Sequence, residues 1–93
     1  MLTHDIIFKA VKEAAKEFPI TKAAYFGSYA DGKATEESDL DLLIEFIEPA
    51  VSIITVIGVK QYLEEKLLKS VDIIHYPPPP GAVIEIGNTV PVL

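Results

Sequence analysis

The sequence predicts a small α/β domain, and three observations carry that expectation. An opening segment has apolar residues at helical spacing. A later run of eight residues alternates apolar and polar with the period of a strand. Between that strand and a third apolar run lies a stretch of about twenty residues, long enough for a crossover helix that would make the two strands parallel. The chain has 93 residues, 49% of them hydrophobic. That suits one domain with a modest core and argues against wholesale disorder. The expected organisation is a single domain over 1–93, with a core at 1–76 and a proline-rich linker and apolar tail at 77–93.

Residues 4–18 read as the first helix. Ile6, Ile7, Ala10, Val11, Ala14, Ala15 and Phe18 form one stripe, with Thr3 as N-cap and Pro19 as stop. Ile20 to Phe26 reads as a strand covered on both faces, because Ala23 to Phe26 run uncharged into Gly27. Residues 29–38 read as a loop. Asp39 to Phe46 alternates, with Leu40, Leu42, Ile44 and Phe46 on a core face and Asp39, Asp41, Leu43 and Glu45 opposite. One helix is expected from about 52 to 69, its first half buried and its second half amphipathic. Val71 to Tyr76 is a third strand, with Asp72 facing away from His75. Pro77 to Pro80 favour an extended polyproline-like segment. Beyond it, Gly87-Asn88 suggests a turn leading into a hairpin or an edge strand, with Pro91 tolerable only at an edge.

Composition narrows function. The net charge of −6 argues against a general nucleic-acid surface, which would be basic. It is compatible with phosphate binding through a cation. There is no cysteine, which removes disulfides and thiolate metal sites and fits a reducing cytoplasm. No secretory signal or membrane span is legible.

The chemistry concentrates in residues 27–44. Asp39 and Asp41, two residues apart on a strand, share a face with Cα atoms about 6.6 Å apart. Hard oxygen ligands suit Mg²⁺, and a third carboxylate on a neighbouring strand would complete a two-metal clamp. Asp72 is the candidate; its plainer reading is a cap or turn residue. For Asp39 the plain reading is an acidic strand start. For Asp41 the plain reading is weaker, because Leu40, Leu42 and Leu43 surround it and an unpaired buried carboxylate is costly. Gly27-Ser28 lets backbone approach a phosphate and offers a hydroxyl, although a lone Gly-Ser is often only a surface turn. Tyr29 is a weak candidate for nucleotide contact. His4 reads as a surface residue at the helix start.

Gly27-Ser28, Asp39-Leu40-Asp41-Leu42 and Val71-Asp72-Ile73-Ile74 together resemble the signature of the DNA polymerase β-like nucleotidyltransferases. The wider pattern, with Ser38 before Asp39, resembles the minimal nucleotidyltransferase (MNT) family. The resemblance covers nearly the whole chain to Tyr76. It implies a mixed sheet with helices on one face, and nucleotide binding by Gly27, Ser28 and Lys33. It also implies two Mg²⁺ ions on Asp39, Asp41 and Asp72. The implied reaction transfers AMP from ATP to a hydroxyl, such as a tyrosine of a partner HEPN toxin, with the chain acting as antitoxin. Two departures stand out. Asp31 occupies a position where the family commonly has Arg, with Lys33 as a substitute cation. A β-like tail replaces the usual closing helix, and could cover the sheet or present an edge to a second copy or the toxin. Asp31 and the tail keep two alternatives open: an inactive antitoxin that neutralises by binding, and an acidic interaction domain without nucleotide.

Overall fold

The computed structural model describes residues 2–48, 51–75 and 87–93. Its elements are α1 (His4–Glu17), β1 (Ile20–Phe26), β2 (Leu40–Phe46), α2 (Ile53–Leu67), β3 (Val71–His75) and β4 (Thr89–Pro91). The four strands form one mixed sheet in the order β3-β2-β1-β4. β1 is antiparallel to both β2 and β4, while β2 and β3 run parallel. The expected crossover is thus present: α2 carries the chain from the end of β2 back to the start of β3. The two helices pack against each other and share one core with the sheet.

The first helix forms for the expected reasons. The Thr3 hydroxyl accepts from the Ile6 N–H, and the helix ends at Glu17, two residues before Pro19. Ile7, Ala10, Val11 and Ala14 are buried, whereas Ile6 lies at the stripe's margin and stays exposed. In β2 the predicted core face is confirmed: Leu40, Leu42, Ile44 and Phe46 are all buried. Each such side chain contributes roughly 1.5–3 kcal/mol on leaving water. The strand itself begins at Leu40, so Asp39 stands just before it.

Two expectations need correction. β1 is not covered on both faces: Ile20, Ala23 and Tyr25 are buried, while Thr21 and Lys22 are exposed. The ladder to β2 shifts between Ile20 and Lys22. That bulge resets the alternation, so residues three apart both reach the core. The second correction concerns α2, whose first half is exposed rather than buried. Ile53 and Ile54 are 73% and 78% exposed, and the helix enters the core through Val59, Leu63 and Leu67. Ser52 caps its start by accepting from the Thr55 N–H.

Of the tail, Tyr76 and the whole of 77–86 lie outside the described residues, including the polyproline expectation. Gly87 and Asn88 have no regular secondary structure, and β4 follows as the expected edge strand. Its partner is β1, with Pro91 at the sheet margin, where a missing N–H is harmless. Val92 is buried behind it. Among the described residues no helix is long and apolar enough to cross a membrane.

Helix α2 ends at Leu68, which adopts the left-handed conformation (φ 52°, ψ 44°) while remaining 89% exposed. A side chain there costs about 1–2 kcal/mol, partly offset by the greater unfolded-state freedom of glycine. Leu68→Gly should therefore stabilise the domain by about 0.5–1 kcal/mol in urea unfolding.

Candidate active site

The site forms where β1 ends and where β2 and β3 begin. Parallel pairing places Asp41 in register with Asp72, one step along from Leu40 and Val71. Leu40, Leu42 and Val71 point into the core, so the two aspartates face the opposite side of the sheet. Burial raises the Asp41 carboxyl above its ordinary value, and the charges of Asp72 and Asp39 raise it further. Asp41 is half-buried, whereas Asp39 and Asp72 are exposed. His75 takes the core side, edge-on to the Phe46 ring, as its alternation from Asp72 predicts.

Gly27 follows directly on Phe26, which pairs with Asp41. It has φ +70°, and a Cβ there would overlap the Asp41 Oδ2. Both facts demand glycine: the backbone conformation and the close approach of the carboxylate. The turn beyond is internally bonded. The Asp31 N–H donates to the Gly27 carbonyl, and the Lys33 N–H donates to the Ser28 carbonyl. Ser28 thus sits beside the acidic group, on a turn fixed by its own backbone. Lys33 is exposed on the same turn. Asp31 points elsewhere: its Oδ1 accepts from Asn88 Nδ2 at 3.1 Å, tying the turn to the start of β4. The Tyr29 hydroxyl lies 3.5 Å from the Leu2 N, and the residue packs against the core. Ser38 closes a local turn, its Oγ accepting from the Thr35 N–H at 2.8 Å. His4 is at the helix start as expected, but it also bonds the otherwise buried Tyr25 hydroxyl through Nδ1, at 2.9 Å.

Several residues that support the site carry no signal in the sequence. Lys60 donates to the Val71 carbonyl at 2.7 Å, and the Val71 N–H donates to Glu64 Oε2 at 3.0 Å. This pair on α2 holds the backbone next to Asp72. The bond from Val71 and the Lys60 ammonium keep the Glu64 carboxyl below its usual value. A lysine and a glutamate four apart on a helix read as an ordinary surface pair; only the return of β3 shows their target.

Among the described residues no three His, Cys, Asp or Glu side chains already form a metal cage. The donor chemistry nevertheless fits a divalent ion. Asp39, Asp41 and Asp72 are oxygen donors that repel one another, and a cation would relieve the repulsion that raises Asp41.

The model of the nucleotidyltransferase domain matches residues 5–86. The chain belongs to the nucleotidyltransferase domain family. It is 39% identical over 70 residues to a candidate protein adenylyltransferase of Methanocaldococcus jannaschii, covering 75% of this chain and 70% of that one. It is 38% identical over 63 residues to the protein adenylyltransferase MntA of Thermococcus cleftensis, covering 68% and 63%. Solved structures share the nucleotidyltransferase fold. A toxin–antitoxin with AMP-PNP superposes with TM-score 0.63 at 23% identity, over 80% of this chain and 57% of that chain. A complex of tri-AMPylated Shewanella oneidensis HEPN toxin with MNT antitoxin gives 0.60 at 16%, over 87% and 60%. The matches thus span only about 60% of the length of MntA and of these solved chains.

Two outcomes follow from the geometry. Gly27→Ala should displace the Asp41 carboxylate and lower stability by about 1–3 kcal/mol, read by urea unfolding. The raised Asp41 carboxyl means that the folded state holds its proton more tightly than the unfolded one. Stability is then lost as pH rises from the ordinary aspartate value of 3.8 through the raised one. Asp41→Asn should therefore raise Tm at pH 7 without divalent ions, and that advantage should vanish as pH falls toward 3.8.

Proposed function

We propose that this domain is a Mg²⁺-dependent nucleotidyltransferase that moves AMP from ATP to a hydroxyl, with a tyrosine of a HEPN-domain toxin as acceptor. The observation that carries the reading is the register pairing of Asp41 with Asp72 beside Asp39, closed on one side by Gly27. The named relatives favour adenylate as the transferred group and a toxin as the partner. On this reading the protein acts as a cytoplasmic antitoxin.

Asp39 and Asp41 would hold the metal ions, with Asp72 as the third ligand. Bound there, two divalent ions would neutralise triphosphate charge and stabilise the attacking and leaving oxygens. The Gly27-Ser28 turn would receive the phosphates, with the Ser28 hydroxyl as a donor. Asp72 would accept the proton of the acceptor hydroxyl. That oxygen bonds to the α-phosphorus as the bond to pyrophosphate breaks. Asp31 is compatible with this chemistry because its carboxylate is engaged by Asn88.

The test is transfer of label from α-labelled ATP to the partner in the presence of Mg²⁺. Wild-type protein should label the partner, and Asp39→Asn or Asp41→Asn should cut transfer by at least about 100-fold with the fold retained. Absence of transfer by the wild type, with neutralisation of the partner preserved in the double variant, would replace this reading with antitoxin action by binding alone.

A further inference from the structure

We propose that Lys69 is a positioning residue for the acidic cluster, holding the backbone on which Asp39 stands; this rests on the nucleotidyltransferase reading above. The Lys69 ammonium donates to two main-chain carbonyls, that of Glu36 at 2.8 Å and that of Ser38 at 2.7 Å. Charge-assisted bonds of this length are about twice as strong as neutral ones. On the other side of Asp39, the Leu40 N–H donates to the Ser70 carbonyl at 3.0 Å. Asp39 is therefore bracketed: the residue before it is held by Lys69, and the residue after it by Ser70.

The bracket exists because of the left-handed turn at Leu68, which ends α2 and swings residues 69 and 70 toward the loop. Asp39 lies outside the regular strand and is exposed, so no ladder or core packing fixes it. Asp41 and Asp72 have strand neighbours; Asp39 has Lys69. Among the described residues Lys69 makes no ion pair. The Thr35–Ser38 turn shapes the same loop locally but does not connect it to the rest of the domain. Lys69 supplies that connection across more than thirty residues of sequence.

The test compares wild type, Lys69→Met and Lys69→Arg by amide hydrogen exchange and by calorimetric titration with Mn²⁺–ATP. In Lys69→Met, exchange at Leu40 should speed up about tenfold while Ile44 is unchanged, and Mn²⁺–ATP affinity should fall about tenfold, as for loss of other supports of metal ligands. Lys69→Arg, which keeps donors and charge, should recover most of both. Should Lys69→Met fail to fold, Lys69→Gln takes its place in the same comparison. Unchanged exchange at Leu40 would overturn the proposal. So would faster exchange with unchanged Mn²⁺–ATP affinity. A wild type that binds no Mn²⁺–ATP would instead overturn the nucleotidyltransferase reading, and the exchange rates would still decide whether Lys69 braces Asp39.

Discussion

The parallel register of β2 and β3 is the constraint on which the rest of this structure depends. It sets Asp41 beside Asp72, an arrangement that the two charges oppose. What enforces it is the core on the opposite face. Leu40, Leu42, Ile44 and Val71 are fully buried, and a slip of one residue would turn Asp41 into that core and expose the leucines. Apolar burial is worth more than the repulsion of two partly solvated carboxylates, so packing holds charges together that would otherwise separate. A cluster of facing carboxylates is thereby built into the sheet by packing alone.

Helix α2 serves this arrangement in two ways. Its buried side chains Val59, Leu63 and Leu67 press on the sheet from below. Its polar side chains Lys60 and Glu64, and Lys69 just beyond its end, reach the backbone beside the aspartates. The same element therefore supplies both the force that sets the register and the bonds that steady its margins. In its first turns only Val56 packs against the core, while Ile53, Ile54 and Ile57 are exposed.

Much of this was legible in the chain. The helical stripe of α1, the alternation of β2 and the crossover length all rest on local periodicity, which survives folding unchanged. So does the face that Asp41 and Asp72 share, because their strand positions define it before the sheet assembles. The first half of α2 was misread because a run of isoleucine and valine reports hydrophobicity, not which side of a helix finds a partner. The bulge at Thr21 was invisible because it is a property of two strands, not one. Asp31 illustrates the same limit. Read beside its neighbours it is an anion near a phosphate turn. Its partner, Asn88, is 57 residues away.

The sequence by itself determined the kind of chemistry available: oxygen donors in a two-residue repeat, a glycine–serine turn after an apolar run, and a family to which these belong. Tertiary structure alone decided which of those donors meet. Asp72 joins Asp41 only when α2 returns the chain in parallel. Lys69 reaches Ser38 only because Leu68 turns left-handed. Gly27-Ser28, which opens the motif, gains its place only when β1 pairs antiparallel with β2 and brings the turn against Asp41. The physical reason is common to all three. Local periodicity is set by backbone geometry, whereas proximity across the chain is set by how buried faces fit together.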